Sequence, residues 1–596
     1  MKNNRICLFL LRILNSLCRP LKKEFAFFIF FLLAIMVIPL RFFFADIHYL
    51  NFKEVFNFLI INLPRAIIVS YLLTVFVNVS RYVKLGGYIL ATLLFTTCLF
   101  LNLVFNKILQ PDIITLLAET NTQESSEFLA TFLLSKGGVI ASLFTLVFVF
   151  LIVLAEKNKK KITSALNSLR NKLAYQICFT VFLILGLFSS GYYLKLYATN
   201  DVDKIQNNEG RYDAVTSLLY SLYSVHLISN DVSHAIQVTK NISPSKIVFD
   251  DDSLNVVYVI GESYIKSHSQ LYGYYLPTTP NLCNEQKKGN LYVFDDVVSP
   301  FNQTTSTMKN TFNCNSLSKK EKWSDSPFFP AIFRKAGYDV YFWDVQRRTD
   351  VAKQALYQFS MDSYLYNKYY TEKVYTQLGD KNFKLDGEAV SDFKDNAKLS
   401  HNFNLIIFHF MGQHVLCTNR YPSNKIFNKF SASSIRNDES YMDAFKKQQI
   451  AEYDNATYYN DYVMKHVFDM FRNKNAVILY FSDHGEEIYD YRDSRGRVEF
   501  EPNMVKQGLK YQFEVPFMIW CSDKYQKKHS QIVSDIKKSL NKPFESDDIC
   551  NLLFHLGGLK TKYYRTTRDL LSPSYVSKDR IVGKNYNYDK IMENEK

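Results

Sequence analysis

Five apolar stretches of near-bilayer length crowd into the first third of this 596-residue chain, at about Phe25–Phe44, Phe56–Val79, Tyr88–Phe105, Gly138–Ala155 and Leu173–Leu194. A hydrocarbon core about 30 Å thick is crossed by about 20 helical residues, and inside it only helices or closed barrels satisfy their own backbone. An α-helical membrane domain of five transmembrane helices is therefore expected over residues 1–195. Two stretches carry arginine, Arg41 near the end of the first and Arg65 within the second. An arginine at the bilayer centre costs at least about 2.5 kcal/mol, so Arg65 must snorkel, line a polar cavity or mark a misplaced boundary.

Charge then sets a side. Residues 1–195 hold 20 Lys and Arg against 8 Asp and Glu, whereas the other 401 residues hold 51 against 49. The net charge of +14 thus belongs to the membrane third, which argues against a nucleic-acid partner. Lys2, Arg5, Arg12, Arg19, Lys22 and Lys23 precede the first span, and Lys157, Lys159, Lys160, Lys161, Arg170 and Lys172 separate the fourth from the fifth. Both segments should face the cytoplasm. Between spans three and four stand Asp112, Glu119, Glu124 and Glu127, as in a translocated loop. Five spans with the N-terminus inside leave the rest of the chain outside the cytoplasm. The first span starts too late for a cleaved signal peptide.

Residues 196–252 are polar and interrupted, with a helical stretch near 214–226, and read as a bridge. From 253 to 596 short apolar runs recur at Asn255–Ile260, Tyr338–Phe342, Leu405–Phe410, Ala476–Phe481 and Val515–Trp520, separated by helical stretches such as Phe329–Ala336 and Ala456–Arg472. Buried strands alternating with helices predict an α/β domain with a mostly parallel sheet, whose sites form beyond the carboxyl ends of strands. The first run leads into Gly261-Glu262-Ser263, the third contains His409 and leads to Gly412-Gln413-His414, and the fourth leads into Ser482-Asp483-His484-Gly485-Glu486. Two acids and a histidine at strand ends suit a zinc or mixed oxygen and nitrogen site. Of nine cysteines, Cys283, Cys314, Cys417, Cys521 and Cys550 fall in this part; no spacing suggests a zinc site, and disulfides or buried thiols both fit.

In order, Val256 to Ser263, Leu271-Tyr272-Gly273-Tyr274, Thr278-Thr279-Pro280-Asn281-Leu282, His409 to His414, Tyr453-Asp454-Asn455-Ala456 with Asp461, Tyr480 to Glu486, and Glu514-Val515-Pro516-Phe517 resemble the phosphoethanolamine transferases. These are five-span inner-membrane enzymes whose periplasmic sulfatase-like domain decorates lipid A or the core of lipopolysaccharide. The resemblance implies an α/β sulfatase/alkaline-phosphatase-like fold and zinc bound by Glu262, Thr304, Asp483 and His484, with a second divalent ion open. Thr304 would be the nucleophile, with Thr305 the alternative register, and Phe312 matches a family phenylalanine. Phosphatidylethanolamine would be the donor and a lipopolysaccharide component the acceptor, on a monomer in the inner membrane.

His414 would hold a phosphate oxygen or shuttle a proton, His268 would add a phosphate contact, and His409 would be structural. Thr120 and Glu124, between spans three and four, match the family's head-group contacts, although Leu116 stands where relatives have asparagine. A second phosphate-binding histidine common in the family is missing between His484 and His529; Arg497, Lys506 or Lys510 could supply charge instead. The disulfides of lipid A-modifying members are missing too, which leaves the acceptor open. The alternatives are a polymer-synthesising phosphoglycerol transferase, a sulfatase or phosphatase, disfavoured by the lack of a Cys-x-Pro-x-Arg run, and a non-catalytic scaffold.

Overall fold

The computed structural model describes residues 2–45, 58–105, 108–109, 113–114, 126, 128, 130–170, 172–198, 213–346, 364–399, 402–497, 500, 503–583 and 586–593. They form two compact units, the first from residues 1–117 and 129–226 and the second from residues 118–128 and 227–596.

The first unit is helical. Its helices α1 (Lys2–Ala45), α2 (Leu63–Val77, led by a π-helical turn Phe58–Asn62), α3 (Arg81–Phe105), α4 (Lys136–Lys157) and α6 (Leu173–Ala198) supply five spans long and apolar enough to cross a membrane. Between the last two lies the basic helix α5 (Lys159–Arg170), in the segment expected to face the cytoplasm. Aromatic contacts such as Phe95 stacked on Phe148 at 4.3 Å join α3 to α4. Arg65 is buried and paired. Its Nε donates to Asp213 at 3.1 Å, its Nη2 donates to Asn62 Oδ1 at 3.1 Å, and its guanidinium lies 4.3 Å from the Tyr193 ring centre. Asp213 in turn caps helix α7 (Ala214–Lys240), accepting from the Thr216 amide and hydroxyl.

The second unit is built on a seven-stranded sheet. Its strands, in chain order, are β1 (Leu254–Gly261), β2 (Leu291–Phe294), β3 (Asp339–Asp344), β4 (Gln377–Leu378), β5 (Phe403–His409), β6 (Ala476–Ser482) and β7 (Phe517–Cys521). The spatial order is β2-β7-β6-β1-β5-β3-β4, parallel from β6 to β4, with β7 antiparallel to both its neighbours. The central strands are buried on both faces, which explains their unbroken apolar runs. On one face lie α8 (Thr304–Thr311) and α9 (Phe329–Ala336), with Met308, Phe312, Phe329 and Phe333 in one core with Tyr258 and Ile260. On the other lies α10 (Ala444–Phe471), whose Tyr453, Val463 and Phe471 pack with Val257 and Val259. The five cysteines of this unit are all thiols.

Removing one partner of a buried ion pair strands the other at a cost of about 3–5 kcal/mol. Arg65→Met should therefore destabilise the full chain in detergent by about that amount, and adding Asp213→Asn should recover part of it. Thermal denaturation of the two variants checks this.

Candidate active site

Parallel register assembles the site. Gly261 of β1 pairs with Ser482 of β6, so the next residues, Glu262 and Asp483, leave neighbouring strand ends together although more than two hundred residues separate them in the chain. Glu262, Asp483 and His484 are fully buried, and one ligand atom of each lies within 4.8 Å of the others. His484 Nε2 is 3.3 Å from both Glu262 Oε1 and Asp483 Oδ2. Its Nδ1 donates to the Gly485 carbonyl at 2.7 Å, which leaves the Nε2 lone pair facing the acids. Thr304 begins α8, and its hydroxyl donates to Glu262 Oε2 at 3.0 Å and lies 3.4 Å from His484 Nε2. All four expected ligands thus converge.

The electrostatics are those of a cation site. Burial pushes the Asp483 carboxyl up, and the Glu262 charge adds to it, to about 7. Burial opposes charge on Glu262 too, but His484 and then Arg497 outweigh it and hold that carboxyl well below its usual range. Asp483 Oδ1 accepts from the Ser263 and His484 amides, whereas the buried Oδ2 has no hydrogen-bond donor among the described residues. An orphaned carboxylate oxygen, a second carboxylate, an oriented imidazole and a hydroxyl form a donor set that fits a divalent ion such as zinc.

Around this core stand residues of opposite character. Arg497 Nη1 donates to His484 Nε2 at 2.7 Å. Lys506 instead donates to the Met592 carbonyl, and Lys510 lies over the Tyr511 ring, so of the three basic candidates Arg497 reaches the cluster. His414 is near enough for Glu262, Arg497 and His484 to act on it; burial and the neighbouring cations lower its pKa to about 3, so its ring is neutral. His409 ends β5 with Nδ1 2.9 Å from Asp344 Oδ1.

His268 lies apart from the use expected of it. Its Nδ1 is 2.7 Å from Asp454 and its Nε2 2.7 Å from Asp490, so a phosphate contact would require one of these pairs to open. Thr120 and Glu124 lie outside the described residues.

Two contributors escaped the sequence reading. Gln346 donates to Glu262 Oε2 at 3.2 Å and to the Phe410 carbonyl at 2.8 Å. Its position just beyond the carboxyl end of β3 was the available signal. Gly412, at φ +49°, backs directly onto Glu262: a β-carbon there would come within 2.6 Å of the Glu262 carbonyl oxygen and 2.8 Å of its nitrogen.

Residues 254–557, about half of the chain, match the sulfatase family model. The chain belongs to the sulfatase family. Within it, the phosphoethanolamine transferase EptC of Escherichia coli strain K12 is 25% identical over 504 residues, covering 82% of each chain. The Kdo(2)-lipid A phosphoethanolamine 7''-transferase of Salmonella typhimurium is 28% identical over 299 residues, 48% of each chain. In three dimensions the integral membrane lipooligosaccharide phosphoethanolamine transferase A (EptA) of Neisseria meningitidis aligns over 92% of this chain and 98% of its own, with a TM-score of 0.58 at 16% identity, which shows a shared fold. Membership of the phosphoethanolamine transferase family, expected from the ordered motifs, holds, and the chain is an enzyme.

Gly412→Ala should displace Glu262 and weaken divalent-ion binding by about 10- to 100-fold, as loss of a supporting partner typically does; metal titration of the full chain by calorimetry reads this directly. A second expectation concerns His268. Burial opposes its charge, but Asp490 and Asp454 outweigh burial and raise its pKa to about 10. Since this lies above the unfolded value of about 6.5, the stabilisation is complete below about pH 6.5 and is lost as pH rises through the folded value. Denaturation midpoints should decline from about pH 7 to about 10, and less steeply in His268→Gln.

Proposed function

We propose that this enzyme transfers phosphoethanolamine from phosphatidylethanolamine to lipid A or another lipopolysaccharide component, through a phosphothreonine formed on Thr304. The observation that carries the proposal is the Thr304 hydroxyl, 3.0 Å from Glu262 and 3.4 Å from His484 at the start of a helix. The names of EptC and of the Kdo(2)-lipid A transferase point to the transferred group, and the second to the acceptor class.

Glu262, Thr304, Asp483 and His484 would hold zinc, which when bound supplies positive charge that lowers the hydroxyl pKa and neutralises phosphate oxygens. In the first displacement the Thr304 oxygen bonds to phosphorus and the phosphorus–oxygen bond to diacylglycerol breaks. Thr304 surrenders its proton along the existing hydrogen bond to Glu262. The first amides of α8 face the developing anion. Arg497 binds a phosphoryl oxygen through its guanidinium N–H groups, taking the place of the missing histidine. His414, neutral in the resting site, relays the proton given up by Thr304 from Glu262 to the departing diacylglycerol oxygen, and in the second displacement relays the acceptor's proton back toward the Thr304 oxygen. In the second displacement the acceptor oxygen bonds to phosphorus and Thr304 is released.

The membrane unit lies in the inner membrane with its N-terminus in the cytoplasm, and the second unit faces the periplasm. Support comes from the basic segments before α1 and along α5.

Thr304→Ala should abolish the phosphoethanolamine increment on lipopolysaccharide while leaving metal content unchanged, as read by lipid mass profiling of cells and metal analysis of the purified chain. A phosphoglycerol increment on Thr304 would identify the enzyme as a phosphoglycerol transferase instead. Arg497→Ala should lower turnover about 10²- to 10³-fold, and Arg497→Lys should restore part of it. His414→Ala should cost about 10²- to 10⁴-fold.

A further inference from the structure

His414 is aimed by its backbone. Its buried Nδ1 meets no hydrogen-bond partner among the described residues, so the contact that usually fixes the direction of an imidazole fixes nothing here. The turn that carries the ring is one a chain does not adopt freely. The His414 amide donates to the Met411 carbonyl at 3.2 Å around Gly412 at φ +49°, and two residues further on Leu416 stands at φ +62°. A bulky side chain in the left-handed region is strained and persists only where its surroundings impose that conformation.

Two buried side chains of opposite charge impose it. Asp386 opens the helix Asp386–Asn396 and is 3% exposed; its Oδ1 accepts from the Met411 amide at 2.7 Å and its Oδ2 from the Gly412 amide at 3.0 Å. Arg420, 4% exposed, donates from Nε to the His414 carbonyl at 3.4 Å and from Nη2 to the Val415 carbonyl at 3.1 Å. The carboxylate thus takes the donors at the start of the turn, and the guanidinium takes the acceptors at its end. Hydrogen bonds to ionised groups are about twice as strong as neutral ones. Burial pushes the Asp386 carboxyl up to about 6, with the two amides and Arg420 drawing the other way. Between the two grips the Gln413 amide donates to the Glu262 carbonyl at 3.0 Å, which sets the turn against the end of β1.

We propose that Asp386 and Arg420 are positioning residues that act through His414, together aiming its ring along the path of the relayed proton. The proposal rests on the relay reading of His414 and adds what holds the relay in line. Neither side chain touches the phosphoryl group in this account, and the Thr304–phosphorus bond forms without them. The clamp therefore matters only where the leaving oxygen needs a proton.

That selectivity supplies the test. The full chain in detergent is given phosphatidylethanolamine or p-nitrophenyl phosphoethanolamine without acceptor, so that each Thr304 reacts once. The nitrophenolate departs as an anion with the electron pair of the broken phosphorus–oxygen bond and takes no proton. Asp386→Asn, which keeps one acceptor oxygen, and Arg420→Met should each slow diacylglycerol release by about 10- to 100-fold, as a misplacement of about 1 Å does. The nitrophenolate burst should keep the parent's rate and amplitude, which also reports that the variants are folded. Arg420→Lys should restore part of the loss. Adding His414→Ala to Asp386→Asn should slow release no further than His414→Ala alone, because both act on one step. Unchanged diacylglycerol release in both clamp variants, equal losses on the two donors, or losses that multiply in the double variant would each overturn the proposal. Intact release in His414→Ala would sink the relay reading and the clamp with it, whereas a slow His414→Ala beside an unimpaired Asp386→Asn and Arg420→Met would sink the clamp alone.

Discussion

Two carboxylates that leave adjacent parallel strands in register, with nowhere to go but toward each other, are the constraint from which the site follows. Glu262 and Asp483 are fully buried, and the charge of the first makes ionising the second harder. Like charges so placed persist only where something positive is meant to lie between them. The protein surrounds the pair with partial answers: backbone amides on Asp483, the Ser263 hydroxyl on Glu262, the imidazole of His484 and the guanidinium of Arg497 on its Nε2. Among the described residues none of these donates to Asp483 Oδ2, and a divalent cation fits the donor set they leave.

Much of the remaining machinery is support. The short helix α8 is held at its far end by Phe312, whose ring stacks on Phe328 and Phe329 at 5.5 and 5.6 Å. Ser299 donates to the Asp483 carbonyl, fixing the turn from behind. Asp461 accepts from the Asn281 and Leu282 amides and ties down the helix that opens at Pro280. Asn455 accepts from two consecutive amides, those of Lys429 and Phe430. Several residues that make the family's motifs recognisable thus do their work through backbone geometry at a distance from the nucleophile.

This explains what was legible in advance. The spans and the central strands announced themselves because length and unbroken apolar character are local properties; Glu262, Asp483 and His484 stood out at strand ends, whereas Thr304 came from the family resemblance. Strand β2 was missed because Leu291–Phe294 is short and offers no long apolar run, and β4 because two residues carry no pattern. Gln346 was illegible for another reason: its importance lies in one donated hydrogen bond to Glu262, which spacing does not encode. His268 has partners that its place beside a motif does not encode: its ring lies between two aspartates. Arg65 looked like an error in a span until Asp213, far along the chain, supplied the partner.

The anchoring of Thr304 has a kinetic meaning. An eight-residue helix pinned by a stack of aromatic rings gives its first side chain almost no room to swing. On the proposed cycle, a carrier that cannot travel must be visited: each lipid would come to the same seat in turn, the first vacating it before the second sits down, so that an excess of either guest would slow the service of the other.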